Sequence, residues 1–414
     1  MPSKYQAPRG TFDVLPADAR LRQRVERTAV EILARAGYER IATPAFEDTE
    51  LFERGVGRST DIVRKEMFTF EDKGGRSITL RPEGTAPICR AYVEHGMHKL
   101  AQPVKLCYVG PFFRHERPQA GRYRQFHQIG IEAIGTDSPL ADAEAIMLLA
   151  DLLAELGVPG VQLRLGSLGS PRARSAYLEE LRAHLRANEA ELSKDVRARL
   201  EINPLRAFDA DDAGTRDVMA SAPTLVDRLE GEDAAHFAEV RQLLEAAGVV
   251  YEIDPTLVRG LDYYTRTIFS FVCDELGAQS EVGGGGRYDG LIEQLGGPPT
   301  PAIGWAVGIE RILLALGETG SAPERDAFLA VADPGQRQRA LALAAELRRA
   351  GLSAELDLAG RGLKGQLKHA DRIGARRVLI LEADGSAQLR DMASGEQRTV
   401  DAAAIVEAIG GEAR

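Results

Sequence analysis

The sequence predicts a mixed α/β protein, of the α+β kind, built from more than one domain. Three observations carry this. A chain of 414 residues is too long for one ordinary hydrophobic core. Strand-like, glycine-bearing sequence lies on both sides of a charged helical stretch that spans roughly 171–248. The tail beyond 325 alternates short strands and helices, as a small α/β domain does.

The elements follow in order. Leu21, Val25, Ala29, Ile32, Leu33 and Ala36 recur at helical spacing, and Gly37 follows as a stop. Residues 38–46 alternate enough to be a strand, and Pro44 near its end assigns it to an edge or an interface. Several strands and loops are expected over 77–134, a helix over 141–157 and a strand over 161–165. Helical, charged segments then occupy 171–248, with a turn-rich patch at 209–214 and nothing that resembles a site. Strand-like sequence resumes near Ile253 and runs through four glycines, Gly283 to Gly286, to a helix over 308–316. A Gly-, Ser- and Pro-bearing stretch reads as a linker over 318–325. In the tail, strands are expected at 327–332, 353–358 and 377–381, helices at 336–350 and 363–373, and a hairpin and short helix at the end.

Composition excludes several classes. The apolar share is 44% and the charged share 28%, as in a globular protein. No apolar run is long enough to span a bilayer, and the start has no apolar stretch of the kind that secretory signals carry. Cys89, Cys107 and Cys273 match neither a disulfide framework nor a zinc ligand set, so buried thiols in a reducing cytoplasm are expected. A formal charge of −10 argues against a general nucleic-acid coat. Any such surface must be local. The tail is close to balanced, so the acidic excess lies in the rest of the chain.

Two segments concentrate chemistry. The first runs from Phe113-Arg114-His115-Glu116 through Gly121 to Glu132. If 125–132 is a strand, Phe126, Gln128, Gly130 and Glu132 share one face, while Ile129 and Ile131 serve as core. A solvated strand face accounts for Gln128 and Glu132, but less well for Phe126 beside Gly130, where there is room for something else. Arg114 and Glu116 either pair with each other or offer a guanidinium fork to an anion. Arg117, Arg122 and Arg124, with no acidic residue among them, suit a polyphosphate. The second segment is 258–267, with Arg259, Tyr263, Tyr264 and Arg266 beside Gly260. A plain strand sends Arg259 and Tyr264 to opposite faces, and both line one pocket only if Gly260 breaks the alternation. Between the two lies the loop Glu83-Gly84-Thr85, whose carboxylate and hydroxyl can accept from an ammonium group or cap the next helix. On the helix after 308, Ile309, Ile312, Leu313 and Leu316 form an apolar stripe and Arg311 points away from it, near an N-terminus that favours anions.

Taken together, these segments resemble the motifs of class II histidyl-tRNA synthetases, over nearly the whole chain and most specifically in 43–132 and 257–316. The resemblance implies a class II synthetase-type catalytic domain on an antiparallel sheet, in two parts, 1–170 and 253–317, around a helical insertion at 171–252. A small α/β anticodon-binding domain would occupy 326–414. It implies a histidine–tRNA ligase that uses ATP to convert L-histidine to histidyl-adenylate and passes the histidyl group to the 3′ end of tRNA(His). Mg²⁺ would accompany ATP, with its ligands unassigned, and the protein would be a homodimer in the cytoplasm. Arg114 and Arg311 would hold the α- and γ-phosphates, assisted by Arg122. Phe126 would stack on adenine and Glu116 would read its amino group. Glu83, Gly84, Thr85 and Gln128 would surround the α-ammonium of histidine. Glu132 and Tyr264 would contact the imidazole nitrogens with Tyr263 nearby, and Arg259 would lie against the carboxylate and the α-phosphate. Arg259 and Arg114 are the expected catalytic pair. In the tail, Arg361, Lys364, Lys368 and Arg372 form a basic stripe for tRNA, while Leu363, Leu367 and Ala370 face the core. A similar chain without aminoacylation, the regulatory subunit of ATP phosphoribosyltransferase, is the alternative. It would lack the tail and parts of the 259–264 run.

Overall fold

The computed structural model describes residues 5–57, 60–277, 280–318, 320 and 325–411. The expected linker therefore lies mostly outside the described residues. The chain forms two compact units, Met1–Glu318 and Thr319–Arg414.

Strands of the first unit are β1 (Glu39–Arg40), β2 (Phe46–Asp48), β3 (Phe68–Glu71), β4 (Ser77–Leu80), β5 (Val104–Phe113), β6 (Gln125–Ile134), β7 (Val161–Ser167), β8 (Glu252–Ile253), β9 (Thr265–Cys273), β10 (Glu281–Arg287) and β11 (Ala302–Gly308). Eight of these described strands make one sheet in the order β1-β5-β6-β11-β10-β9-β7-β8. Its interior is antiparallel throughout, and only the short edge pairs β1–β5 and β7–β8 are parallel. A small antiparallel sheet, β2-β4-β3, stands apart.

The expected strand over 38–46 is broken into β1 and β2. Pro44 has no N–H for a ladder. The carbonyls of Thr43 and Pro44 instead accept from the buried Arg81 guanidinium, at 2.8 and 3.4 Å. The first helix forms as its spacing dictates, over Pro16–Arg35, with proline in its first turn and Gly37 at φ +82° just past its end. Its stripe Val25, Ala29 and Leu33 is buried against one face of the large sheet. The helices Pro139–Glu155 and Gly231–Ala246 cover the same face, contributing residues such as Leu149, Leu152, Val240 and Leu244. Burial of each large aliphatic side chain is worth about 1.5–3 kcal/mol. The described helices between β7 and β8, Pro171–Ala187, Lys194–Arg199, Ala213–Met219 and Gly231–Ala246, belong to this unit. Cys89, Cys107 and Cys273 are buried and free.

In the second unit β12 (Arg325–Val331), β13 (Ala354–Leu356), β14 (Ala375–Leu381), β15 (Ala387–Asp391) and β16 (Gln397–Thr399) form a sheet in the order β13-β12-β14-β15-β16. Its first three strands are parallel and the last two turn back as a hairpin. The helices Arg337–Arg349 and Leu363–Arg372 pack on it.

A buried ion pair ties the glycine-rich strand to two helices. Arg287, at the end of β10, meets Asp142 at 2.6 Å, and neither side chain is exposed. His236 lies 3.5 Å from the same carboxylate. Removing one partner strands the other charge in a low-dielectric site. Arg287 keeps Asp289 at 3.1 Å and two backbone carbonyls. Asp142→Ala is therefore expected to cost about 3 kcal/mol, near the lower end for a broken buried pair. Urea unfolding of the first unit measures this, and a loss under about 1 kcal/mol, the range of an exposed pair, would contradict it.

Candidate active site

A cleft of about 610 Å³ opens over the middle of the large sheet, and the two chemistry-rich segments meet in it. Glu83, Gly84, Thr85, Arg114, Glu116, Arg122, Phe126, Gln128, Arg259, Tyr263, Tyr264 and Arg311 all line it. Arg114, Arg259 and Arg311 come from separate stretches of chain: just past β5, the loop before β9, and the first turn of the helix Ile309–Leu316.

Strand β6 behaves as its alternation predicts. Ile129 and Ile131 enter the core, and Phe126 and Gln128 face the cleft. Gly130 does not leave empty space. A Cβ there would overlap the ring of Tyr108, which lies across the strand. Tyr108, buried and at the floor of the cleft, was not singled out from the sequence.

Glu132 stands behind the wall with no exposed surface. The Thr85 hydroxyl donates to its Oε1 at 2.8 Å, and the Tyr288 hydroxyl donates to its Oε2. Burial pushes its pKa up to about 8, against the lowering effect of those two bonds. The helix after the loop is capped by Glu83 rather than Thr85. Glu83 accepts from the backbone N–H groups of Thr85 and Ala86, at 2.7 and 3.0 Å, which leaves the Thr85 hydroxyl for Glu132.

Arg114 donates to the carbonyl of Pro82 at 2.9 Å and lies over the Phe126 ring at 5.4 Å. Its distance to Glu116 is 3.9 Å, so the simple paired reading of these two residues is weak. Glu116 is nearer to Arg122, at 3.4 Å, and its buried Oε2 has no hydrogen bond. The buried Oε1 of Gln128 has none either. Of the three loop arginines only Arg122 reaches the cleft. Arg117 is exposed outside the lining, and Arg124 bonds the carbonyls of Glu116 and Arg9. The loop is strapped by the N-terminal segment, through Arg124 N–H to Gly10 O at 2.7 Å and the Phe12–Tyr123 ring pair at 4.6 Å.

The question of the 259–264 face is settled by the backbone. These residues form a loop, and the strand begins only at Thr265, so Arg259 and Tyr264 both reach the cleft. Arg259 meets Glu281 at 2.5 Å and stands 5.8 Å from the centre of the Tyr264 ring. Burial works against its charge, but Glu281 and Tyr264 outweigh this and raise its proton affinity. Arg311 is held in place through its neighbour. Glu310 accepts from the His127 N–H at 2.9 Å, joining the helix to β6. Burial lowers the pKa of Arg311, with Arg122 nearby adding to the effect.

Sequence reasoning missed Tyr108, Tyr288, Glu281 and Glu310, and it found nothing in 171–248. Yet Arg206, Asp209 and Asp211 of that stretch line the cleft. The one available signal for Tyr288 was its position directly after the glycine run.

With this geometry in hand, comparison with known proteins is decisive. Residues 10–312 match the histidyl-tRNA synthetase family, and residues 326–412 match the anticodon binding domain family. The chain belongs to the histidyl-tRNA synthetase family. It is 49% identical to the histidine–tRNA ligase of Desulfitobacterium hafniense (strain DSM 10664 / DCB-2), over 95% of this chain and 94% of that one. It is 48% identical to the ligase of Thermosynechococcus vestitus, over 95% and 93%. The crystal structure of apo histidyl-tRNA synthetase from S. aureus matches with a TM-score of 0.83 and 36% identity, covering 98% of this chain and 99% of that one. An ATP phosphoribosyltransferase regulatory subunit/histidyl-tRNA synthetase from Bacillus halodurans matches with a TM-score of 0.68 at 24% identity, covering 92% and 99%, a likeness of fold alone.

Glu132 gives a pH test. Its ordinary carboxyl value is 4.5 and its value in the fold is about 8. The protonated form suits the fold, so its contribution to stability is full below 4.5 and is lost as pH rises through about 8. Glu132→Gln keeps the shape without that loss. The unfolding midpoint of the variant relative to the parent should climb across this interval and level off above it. Parallel pH curves for the two proteins would overturn the assignment.

Proposed function

We propose that the protein is a histidine–tRNA ligase, which activates L-histidine with ATP and transfers the histidyl group to tRNA(His). The observation that carries this reading is the convergence of Arg114, Arg259 and Arg311 on one cleft, beside a polar wall of Thr85, Gln128 and Tyr264 with Glu132 bonded behind Thr85. Adenylate formation requires the carboxylate of histidine to attack the α-phosphorus of ATP with release of pyrophosphate. Two anions must be brought together, and positioning with charge stabilisation is enough. Arg259 would hold the carboxylate against the α-phosphate, and Arg114 would neutralise that phosphate from the other side. Arg311 and Arg122 would take the γ-phosphate.

The unbonded acceptors of Glu116 and Gln128 support their roles toward the adenine amino group and the α-ammonium. Phe126, already stacked by a guanidinium, offers the adenine a π-face. Glu83 uses one bond on each oxygen for the helix, and a carboxylate retains further lone pairs for the ammonium. Glu132 and Tyr264 would bond the two imidazole nitrogens, with Tyr263 packed on Tyr264 at 4.7 Å. For Glu132 to reach the ring, Thr85 or Tyr288 must yield its bond. A pocket that satisfies both polar edges rejects apolar side chains strongly. Among the described residues no group of three or more His, Cys, Asp or Glu could hold a metal ion. Mg²⁺ would accompany the phosphate oxygens of ATP, with no protein ligand assigned, and would neutralise the pyrophosphate.

We infer a helical insertion at 171–252 between catalytic parts 1–170 and 253–317, with 318–325 as linker and 326–414 reading tRNA. On the helix Leu363–Arg372, Lys364, Lys368 and Arg372 are exposed while Leu363, Leu367 and Ala370 pack inward. Arg361 precedes the helix and is paired with Asp357 at 2.5 Å, so it contributes less. Phe46 and Phe70, on the two strands flanking β4, are 52% and 48% exposed, which supports a homodimer that covers them. Among the described residues no helix is long and apolar enough to cross a membrane, and a cytoplasmic place is proposed. The regulatory reading is less supported. It rests on likeness of fold at 24% identity, against ligases at 49%.

Histidine-dependent exchange of labelled pyrophosphate into ATP tests the assignment. The native protein should show it, and Arg259→Ala should lose it by about a hundredfold or more, as removal of a transition-state charge contact does. Absence of exchange from folded native protein would favour the regulatory reading. A separate measurement addresses the tail. Lys364→Glu with Lys368→Glu should raise the KM for tRNA about tenfold, the scale of losing a few phosphate contacts, and leave exchange unchanged. Equal loss of both activities would count against an anticodon role.

A further inference from the structure

Of the charged groups in the cleft that take no part in the chemistry above, one is paired with Arg259. Glu281 is the first residue of β10, and the strand register shifts between it and Gly283. Its carboxylate meets Arg259 Nη1 at 2.5 Å. The rest of its side chain faces water, with 46% of the surface exposed, whereas Arg259 is only 14% exposed. Burial would raise the pKa of Glu281, but Arg259, and Arg311 and Arg114 beyond it, pull it down. This carboxylate thus stands in the field of three arginines expected to receive substrate anions, in direct contact with Arg259.

We propose that Glu281 is a positioning residue for Arg259, a built-in counter-anion that fixes the guanidinium while the cleft is empty and yields it when the substrates arrive. The proposal rests on the reading of this cleft as an adenylating site. Three guanidinium groups converging without a counter-charge repel one another. The long arginine side chain has many rotamers, and one salt bridge selects among them. Beyond Glu281, the Tyr264 hydroxyl is the other side-chain partner of Arg259, and a neutral one. The Tyr264 ring flanks it at 5.8 Å, its buried Nε makes no hydrogen bond, and the backbone at Gly284 passes beneath it. A Cβ at Gly284 would lie 3.1 Å from Nη1, so the glycine provides the space that the guanidinium occupies.

Retention of the bond would oppose the reaction. With a carboxylate and an α-phosphate at Arg259, the Glu281 charge becomes a third anion in the same place. Its exposed side offers a way out, and its position at the strand end, beside the register shift, leaves the side chain free of the ladder. Glu281 therefore exchanges some affinity for ATP against a preset Arg259, so that the orienting cost falls outside the chemical step.

The test separates charge from position. ATP affinity is measured by equilibrium binding without histidine, and kcat by pyrophosphate exchange. Glu281→Gln keeps the size and removes the charge. It should bind ATP about threefold more tightly, the scale of an exposed ion pair, and lower kcat about tenfold through a less well-placed guanidinium. Glu281→Asp keeps the charge on a shorter stem, so ATP affinity should return to the native value while kcat stays low. Weaker or unchanged ATP binding in Glu281→Gln, or native kcat in either variant, would overturn the proposal. An unchanged unfolding midpoint excludes loss of fold as the cause. Native protein that binds ATP but shows no exchange would strike the adenylation reading, and the ATP-binding arm would still decide whether Glu281 competes with phosphate.

Discussion

A carboxyl group with no access to water lies at the centre of the large sheet, and the cleft is arranged around it. Glu132 is tolerable there only because a hydroxyl meets each oxygen and because burial keeps its proton on near neutral pH. Each partner brings a different part of the chain with it. Thr85 begins the helix that Glu83 caps, and Tyr288 follows the glycine-rich strand. β11 can lie directly beside Glu132 because Gly304 faces it, where any side chain would collide with the carboxyl group. One unfavourable burial therefore fixes the mutual register of a loop, a helix and three strands.

The charge distribution follows the opposite logic. The chain is acidic overall, at −10, yet its cleft gathers arginines. Carboxylates line it as well, so what favours anions is where the guanidinium groups stand; low-dielectric walls make those charges effective over short range, and distant acidic surface is screened by salt within about 10 Å. Glu116 stands beside Arg122 and Glu281 beside Arg259, so two of these arginines have a carboxylate partner within the cleft. Net charge says little about the cleft, where the position of each charge matters more than the sum.

Much of this was legible in the sequence because local rules decided it. Alternation along 125–132 separated core from cleft, and the apolar stripe of the helix after 308 turned Arg311 outward. The long helices fell within a few residues of their observed bounds. What was not legible depended on contacts between distant segments. No periodicity could announce that Tyr108 lies across Gly130, or that Glu310 reaches His127. The strand expected over 38–46 failed for the same reason, because Arg81, far along the chain, takes the carbonyls a ladder would have used. The stretch 171–248 reads as plain charged helix, and only its fold brings Arg206 and Asp209 to the cleft.

How those helices are coupled to the site can be traced to one residue. Arg266 has φ +45°, the one positive value among the described residues other than glycine. A conformation of this kind costs of order 1 kcal/mol or more and persists only where surroundings enforce it. Here they do. Its N–H donates to Gly169 O at 2.8 Å, and its carbonyl accepts from Leu168 N–H at 2.7 Å, at the point where the chain leaves β7 for the helix Pro171–Ala187. Its guanidinium donates to Asp233 at 3.2 Å, near the start of the helix Gly231–Ala246, and Asp233 in turn accepts from the backbone and hydroxyl of Ser170. The first and last helices of the stretch are thus fastened near their N-terminal ends to a residue two places from Tyr264. Arg266 also sits at the register shift between β9 and β10, so these contacts hold the point where the chain enters β9. The strained backbone at Arg266 is the joint between the helical stretch and the loop at 259–264.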